Sequence, residues 1–207
     1  MHILLAGATG KTGKKILKQL LDKNYKVTAI VRNQNKMDIQ NPHLTVKIAD
    51  VLNAESLGFI AEDKSYTHVI IALGASSLKK DLIRSTGTEN MLKKIKEAQT
   101  NPKISIISSA GAGNSIKQIP FAFKIIIKLL LKNVILDHEA QENYVINSGL
   151  TYTIARPTGL TDHPQTNNYK VLITEKLSSG KISRSDVAHF IVTDLTDAQS
   201  KIVALCN

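Results

Sequence analysis

The 207-residue chain has one cysteine, no tryptophan, and only five tyrosines and four phenylalanines. The lone thiol, Cys206, excludes an intramolecular disulfide and fits a reducing compartment. So few aromatics leave the core to Ile, Leu, Val and Ala, a mixture suited to parallel strands buried on both faces. No basic stretch followed by an apolar one precedes the first strand, so no signal peptide is expected and the location reads as cytoplasmic. The six histidines (2, 43, 68, 138, 163 and 189) show no ligand spacing, and no metal site is expected. Lys124, Lys128 and Lys132 interrupt the apolar segment IKQIPFAFKIIIKLLLKNVIL every four residues, which argues against a membrane span. Its broad apolar face is expected to pack on the body, wall a pocket or bury a dimer contact, with an interfacial helix as a further reading. Repeats, low-complexity tracts and linkers are also missing.

The formal net charge is +10. A basic field attracts nucleic-acid phosphates, but only four of the cations are arginines (32, 84, 156 and 184), and the lysines are dispersed rather than clustered with aromatics. A mild positive field suits a small anionic cofactor better. No nucleic-acid partner is expected.

What the chain does have is an apolar strand running into glycines, MHILLAGATGKTG. Gly7 permits a tight turn, Gly10 leaves room for phosphates, and Gly13 lets the next helix pack close. The free N–H groups at that helix start face negative charge. The amphipathic stretch KKILKQLLDK that follows supplies the context this motif needs. Beyond it, KVTAIVR, LTVKIAD, THVIIALG, KISIISSAG, LTYTIARP and KIVALC read as strands, with helices expected over 11–23, 53–61, 81–98, 137–148 and 185–197. This alternation predicts an α/β fold, a doubly wound parallel sheet of Rossmann type. We expect one NAD(P)-binding domain over 1–207, with 111–136 and 157–184 forming a small substrate-covering lobe.

Right-handed crossovers place the loops after the strands along one sheet edge, where the polar residues of interest collect. Arg32, ending the second strand, stands where an acidic residue would read an NAD ribose. Its planar fork suits a 2′-phosphate instead. A charge-assisted hydrogen bond of roughly 1.5–3 kcal/mol then favours NADP by about tenfold to a hundredfold. The alternative is a solvated surface arginine. Asp50 is expected beside the adenine edge, or as the cap of helix 53–61, a role for which Asn53 competes. Gly74 ends the fourth strand where backbone must approach a cofactor. Small residues and hydroxyls in SSAGAG leave room for a nicotinamide ring, and Ser109 is preferred over Ser108, though alternation does not settle which faces the site. Asp186 is most simply read as favourable to a helix dipole.

The set GATGKTG, VRN, AD, ALG, SSAGAG, DHEAQENYVINSGLTYTIARPTGL and KISRSDVAHFI resembles an atypical short-chain dehydrogenase/reductase of the NmrA-like type. Within it, the chain is similar to the NAD(P)H-flavin reductase and biliverdin-IXβ reductase branch. The resemblance implies that Gly7, Thr9, Gly10, Lys11, Thr12 and Gly13 form the pyrophosphate loop and that Arg32 reads the 2′-phosphate. It implies an adenine pocket at Asp50 and Val51, and a loop beside the inner ribose at Leu73 and Gly74. It implies an active-site serine at Ser109, a substrate-side histidine at His138, and a nicotinamide cover at Pro157 and Thr158.

The Tyr-x-x-x-Lys pair of ordinary members is missing. Tyr144 is followed four residues on by Ser148, and Tyr152 by Arg156 within a strand. Hydride transfer from NADPH to a flat conjugated acceptor (flavin, biliverdin-like tetrapyrrole or quinone) needs that acid less than ketone reduction does. FMN or FAD would be substrate rather than prosthetic group. Ser109 and His138 would orient the acceptor, and a His138 titrating near neutrality would assist protonation. The plainer reading of His138 is a helix N-terminal residue beside a capping Asp137. The alternative function is a non-catalytic NmrA-like redox sensor that binds NAD(P) and regulates a partner. Epimerase or dehydratase chemistry on a nucleotide-linked sugar fits less well. A monomer or homodimer is expected.

Overall fold

Strand β1 (His2–Ala6) is buried at every position, and its side chains alternate between two apolar layers. Ile3 and Leu5 enter a cluster with Ile16, Leu17 and Leu20 of α1 (Lys11–Asp22), while Leu4 and Ala6 face the other side of the sheet. The computed structural model describes residues 1–74, 82–120, 124–125, 127–177 and 180–207. The expected start of a helix at Asp81, and Ala75 and Ser76 after the fourth strand, lie outside the described residues.

The remaining elements follow the expected alternation. In chain order they are β2 (Lys26–Val31), β3 (Leu44–Ile48), α2 (Gly58–Glu62), β4 (His68–Ile71), α3 (Ile83–Ala98), β5 (Lys103–Ile107) and α4 (Lys132–Ile146). They continue through β6 (Tyr152–Pro157), β7 (Gly159–Thr161), β8 (Lys170–Leu172), β9 (Lys181–Ser183), α5 (Arg184–Thr193) and β10 (Lys201–Cys206). The main sheet runs β3-β2-β1-β4-β5-β6-β10-β8, parallel except where β8 pairs antiparallel with β10. Strands β7 and β9 form a small second sheet. The order reverses at β1, with β2 on one side and β4 on the other, which opens the crevice where doubly wound sheets bind ligands.

Helices α1 and α5 cover one face, where Val187 and Ile191 of α5 join the α1 cluster. Helices α2, α3 and α4 cover the other, through Ile60, Met91, Ile95 and Val145. Burying each such side chain contributes about 1.5–3 kcal/mol. Together they fix the sheet edge that carries the site.

Three expected boundaries move. Helix α4 begins at Lys132 instead of 137, because a π-type turn at Ile127–Leu131 feeds straight into it. Asp137 is therefore a helix-interior residue and not the cap of its own helix. The 53–61 helix is a 3-10 turn, Glu55–Leu57, followed by α2. Asn53 takes the capping role, accepting from the Glu55 N–H at 3.0 Å. The last helix ends at Thr193, and a 3-10 turn covers Asp194–Thr196. In the Lys-striped segment, Leu129 and Leu130 stand 74% and 65% exposed, so this part of its apolar face is not packed on the body. Among the described residues, no helix is long and apolar enough to cross a membrane.

Candidate functional site

The loop after β1 is built to leave helix α1 with an open N-terminus. Gly7 has φ +83°, and a Cβ there would meet the Ala72 carbonyl oxygen at 2.3 Å. A Cβ on Gly13 would lie 2.0 Å from the Gly7 carbonyl oxygen, so the turn and the helix close on each other only through glycine. Gly10 donates to Gly7 O at 2.9 Å and stands at the N-cap, with no side-chain cap and no acidic residue in the first turn. Unspent N–H groups and the helix dipole therefore offer themselves to an anion.

They open into a cavity of about 580 Å³, within the size range of small-ligand sites. Gly7, Thr9, Gly10, Lys11 and Thr12 line it; buried Gly13 supports the loop from beneath. Arg32 lines the same cavity, joined by Lys36, which a 3-10 turn at Gln34–Lys36 folds back toward it. The turn is capped by Asn33, whose side chain accepts from Asn35 N at 2.9 Å. Both cations are exposed, and neither makes an ion pair among the described residues. Lys36 is a second basic group that sequence spacing did not single out. Two further cations, Lys11 and Arg184, share the carboxylate of Asp162 at 3.2 and 2.8 Å.

Val51, Leu73 and Gly74 line the cavity. A Cβ on Gly74 would meet nothing within 4 Å, so its backbone borders open space. Gly87 on α3 is a supporting residue the sequence reading missed: a Cβ there would press on Leu73 and Val51 at 2.8 and 2.9 Å. Asp50 is not among the lining residues. Its carboxylate accepts from Leu52 N at 3.0 Å and closes its own turn.

The far end of the cavity is lined by Ile83, Arg84, Ile107, Ser108 and His138. Of the two serines, Ser108 lines the cavity and Ser109, the one preferred from the sequence, is not among the lining residues. The Ser109 hydroxyl turns to the adjacent Ala110 carbonyl at 3.2 Å. That of Ser108 donates to Glu142 of α4 at 2.5 Å. Glu142 in turn takes a two-pronged ion pair from buried Arg156, at 2.9 and 2.6 Å. Arg156 also holds Asn114 at 2.6 Å, which pins the loop after β5.

His138 sits on α4, 6% exposed. Burial, aided by the nearby Arg84 charge, pushes its pKa down to about 3, against the opposing pull of Asp137 and Gln141. The expectation of a histidine titrating near neutrality is therefore corrected: the imidazole is neutral, a hydrogen-bonding group and not a charged acid. Its Nδ1 is buried with no hydrogen-bond partner. Asp137 beside it points to the start of α3, accepting from Ser85 Oγ at 2.5 Å, Ser85 N at 3.0 Å, Arg84 Nη1 at 3.2 Å and Arg84 N at 3.3 Å.

Pro157 and Thr158 lie at the end of β6 but do not line the cavity; Leu160 does. Tyr144 is exposed on the outer side of α4, in a separate groove with Glu89 and Lys93. The residues present fit a phosphorylated dinucleotide. An open helix N-terminus and two cations at the end of β2 that make no ion pair among the described residues match the phosphates, and the far end sets Ile83 and Ile107 beside Ser108, neutral His138 and buried Arg84.

Comparison with known proteins agrees with this geometry. The family model described as NAD(P)H-binding matches residues 7–198. An uncharacterised chloroplastic protein of Arabidopsis thaliana is 30% identical over 206 residues, covering 96% of this chain and 73% of its own. Protein TIC 62 of the same plant is 26% identical across 97% of this chain, which spans only 35% of that protein's length. Among solved structures, ChuY, an anaerobillin reductase from Escherichia coli O157:H7, superposes with TM-score 0.80 at 19% identity, covering 99% of this chain and 96% of its own. A short-chain dehydrogenase/reductase from Veillonella parvula, in complex with NADP, gives TM-score 0.80 at 18% identity, covering 100% and 94%. At these identities the structures speak for the fold.

Proposed function

Because the chain belongs to the NAD(P)H-binding family, we propose that it is an NADPH-dependent reductase of the atypical short-chain dehydrogenase/reductase type, acting on a flat conjugated acceptor. A flavin, a biliverdin-like tetrapyrrole or a quinone is the class of acceptor meant. The observation that carries the reading is a single cavity joining the glycine loop and Arg32 at one end to Ser108 and His138 at the other.

In this reading the α1 N-terminus and Lys11 hold the pyrophosphate, and Arg32 with Lys36 holds the 2′-phosphate. Val51, Leu73 and Gly74 border the adenosine half. When bound, the reduced dinucleotide supplies a hydride. The chain's part at the far end is to orient the acceptor through neutral His138, with Leu160 and Arg184 on the same cavity wall. A neutral imidazole donates at one nitrogen and accepts at the other, so it positions a carbonyl or ring nitrogen without competing for the charge. Ser108 spends its proton on Glu142 and has lone pairs left to accept. Ser109 has no role here beyond the turn.

The test measures dissociation constants for NADPH and NADH, then turnover with FMN, FAD, biliverdin and a quinone. NADPH preference with reduction of at least one acceptor is expected. Tight NADPH binding without turnover would favour the second reading, a dinucleotide sensor. That reading draws on the far end of the cavity, where no Tyr/Lys pair stands among the described lining residues.

A further inference from the structure

One cation in the cavity is left over once the phosphates are assigned. Arg32 and Lys36 stand at the end of β2, and Lys11 and Arg184 flank the glycine loop through Asp162. Arg84 enters from the first turn of α3, at the end shared with Ser108 and His138. It is 8% exposed, and its Nε is buried without a hydrogen-bond partner. Its ionic partner among the described residues, Asp137, divides its two oxygens among four donors at the start of α3. The carboxylate therefore also answers the dipole of that helix and does not cancel the guanidinium alone. His138 registers the balance: Arg84 depresses its pKa more than Asp137 restores it. The far end of the cavity thus holds a buried guanidinium whose Nε has no hydrogen-bond partner and whose carboxylate partner is shared with the start of α3.

We propose that Arg84 stabilises the negative charge that hydride transfer places on the acceptor, an assignment that rests on the reductase reading above. A hydride carries two electrons with its proton. A C–H bond of the reduced dinucleotide breaks, a C–H or N–H bond forms on the acceptor, and a neutral acceptor becomes a monoanion. A proton from water neutralises it afterwards. With His138 neutral and no tyrosine lining this end among the described residues, no side chain there hands over that proton during the transfer. A buried guanidinium held in place by Asp137 is the electrostatic substitute. The substrate class follows. The acceptor must spread its new charge onto an oxygen or ring nitrogen that a guanidinium can reach, as a flavin, a lactam-edged tetrapyrrole or a quinone does. An alkene conjugated only to carbon does not.

Two substitutions and two readouts test this. Arg84→Met is expected to lower kcat by roughly 10²–10³-fold while leaving the NADPH dissociation constant unchanged. Arg84→Lys, which keeps the charge, recovers part of the rate. The second readout needs no turnover: p-nitrophenol is titrated by absorbance on the protein loaded with NADP⁺. The wild type and Arg84→Lys should hold it as phenolate, its apparent pKa lowered by a unit or more, and Arg84→Met should not. An identical titration in wild type and Arg84→Met, or no phenolate binding at all, overturns the proposal. So does an Arg84→Met that weakens NADPH binding tenfold at unchanged kcat. A shifted phenol pKa in a wild type that reduces no acceptor would uphold the anion site and overturn the reductase reading instead. Should Arg84→Met fail to fold, the comparison of Arg84→Gln with Arg84→Lys decides between the same outcomes.

Discussion

The Asp137 carboxylate, in the interior of α4, holds Arg84 at the start of α3 twice, through its backbone N–H at 3.3 Å and its guanidinium at 3.2 Å. The contact ties together the two helices that wall the far end of the cavity. It also turns a residue expected to cap its own helix into the cap of another.

Replacing Asp137 with Asn should therefore be costly. The carboxylate is 1% exposed and has four donors, and loss of its charge leaves a buried guanidinium unanswered. Breaking such a pair costs about 3–5 kcal/mol. Denaturant unfolding of Asp137→Asn should show a loss in that range; a loss below about 1 kcal/mol would mean the contact is marginal.

At the other end of the cavity, Arg32→Ser combined with Lys36→Ser should weaken NADPH binding by about tenfold to a hundredfold and leave NADH almost unchanged. Calorimetry with both dinucleotides checks it. Equal losses for the two would remove the 2′-phosphate role.

Asp162 sits between Lys11 and Arg184 on the dinucleotide side of the cavity. Its charge opposes a pyrophosphate placed there. Asp162→Asn should tighten NADPH by up to about fivefold, the scale of an exposed charge contact. Weaker binding would show that the carboxylate positions the lysine instead.

His138 makes a pH prediction with a definite sign. Its pKa falls from 6.5 to about 3 on folding, so the unfolded chain takes up a proton that the native one refuses. The stability tied to the neutral imidazole is complete above pH 6.5 and is lost as pH falls toward 3. Between pH 7 and pH 5 this amounts to about 2 kcal/mol. His138→Gln should lose that much less than wild type across the interval, measured by urea unfolding at each pH. Equal losses would place the histidine in water.

Much of this was legible in the sequence because it is local. GATGKTG dictates its own turn, and the apolar run of β2 ends at Val31, which puts Arg32 at its tip. Residues whose meaning depends on distant partners were not legible. Asp137 and Ser85 lie 52 positions apart, and nothing between them signals that a helix-interior carboxylate caps α3. Lys36 needed the fold-back of a 3-10 turn, and Arg184 needed β9 beside β7. Ser108 and Ser109 differ by one step after β5, and only the buried Glu142–Arg156 pair decides which hydroxyl is drawn inward. The lowered pKa of His138 is illegible for the same reason, since burial and Arg84 both come from tertiary packing.

The most direct test of the account is a single-turnover reaction of the protein with NADPH and FMN, biliverdin or a quinone, run with NADPH protiated and then deuterated at the transferred position. The account predicts oxidation of bound NADPH coupled to acceptor reduction, slowed severalfold by deuterium. Bound NADPH that stays reduced in the presence of every acceptor would contradict it.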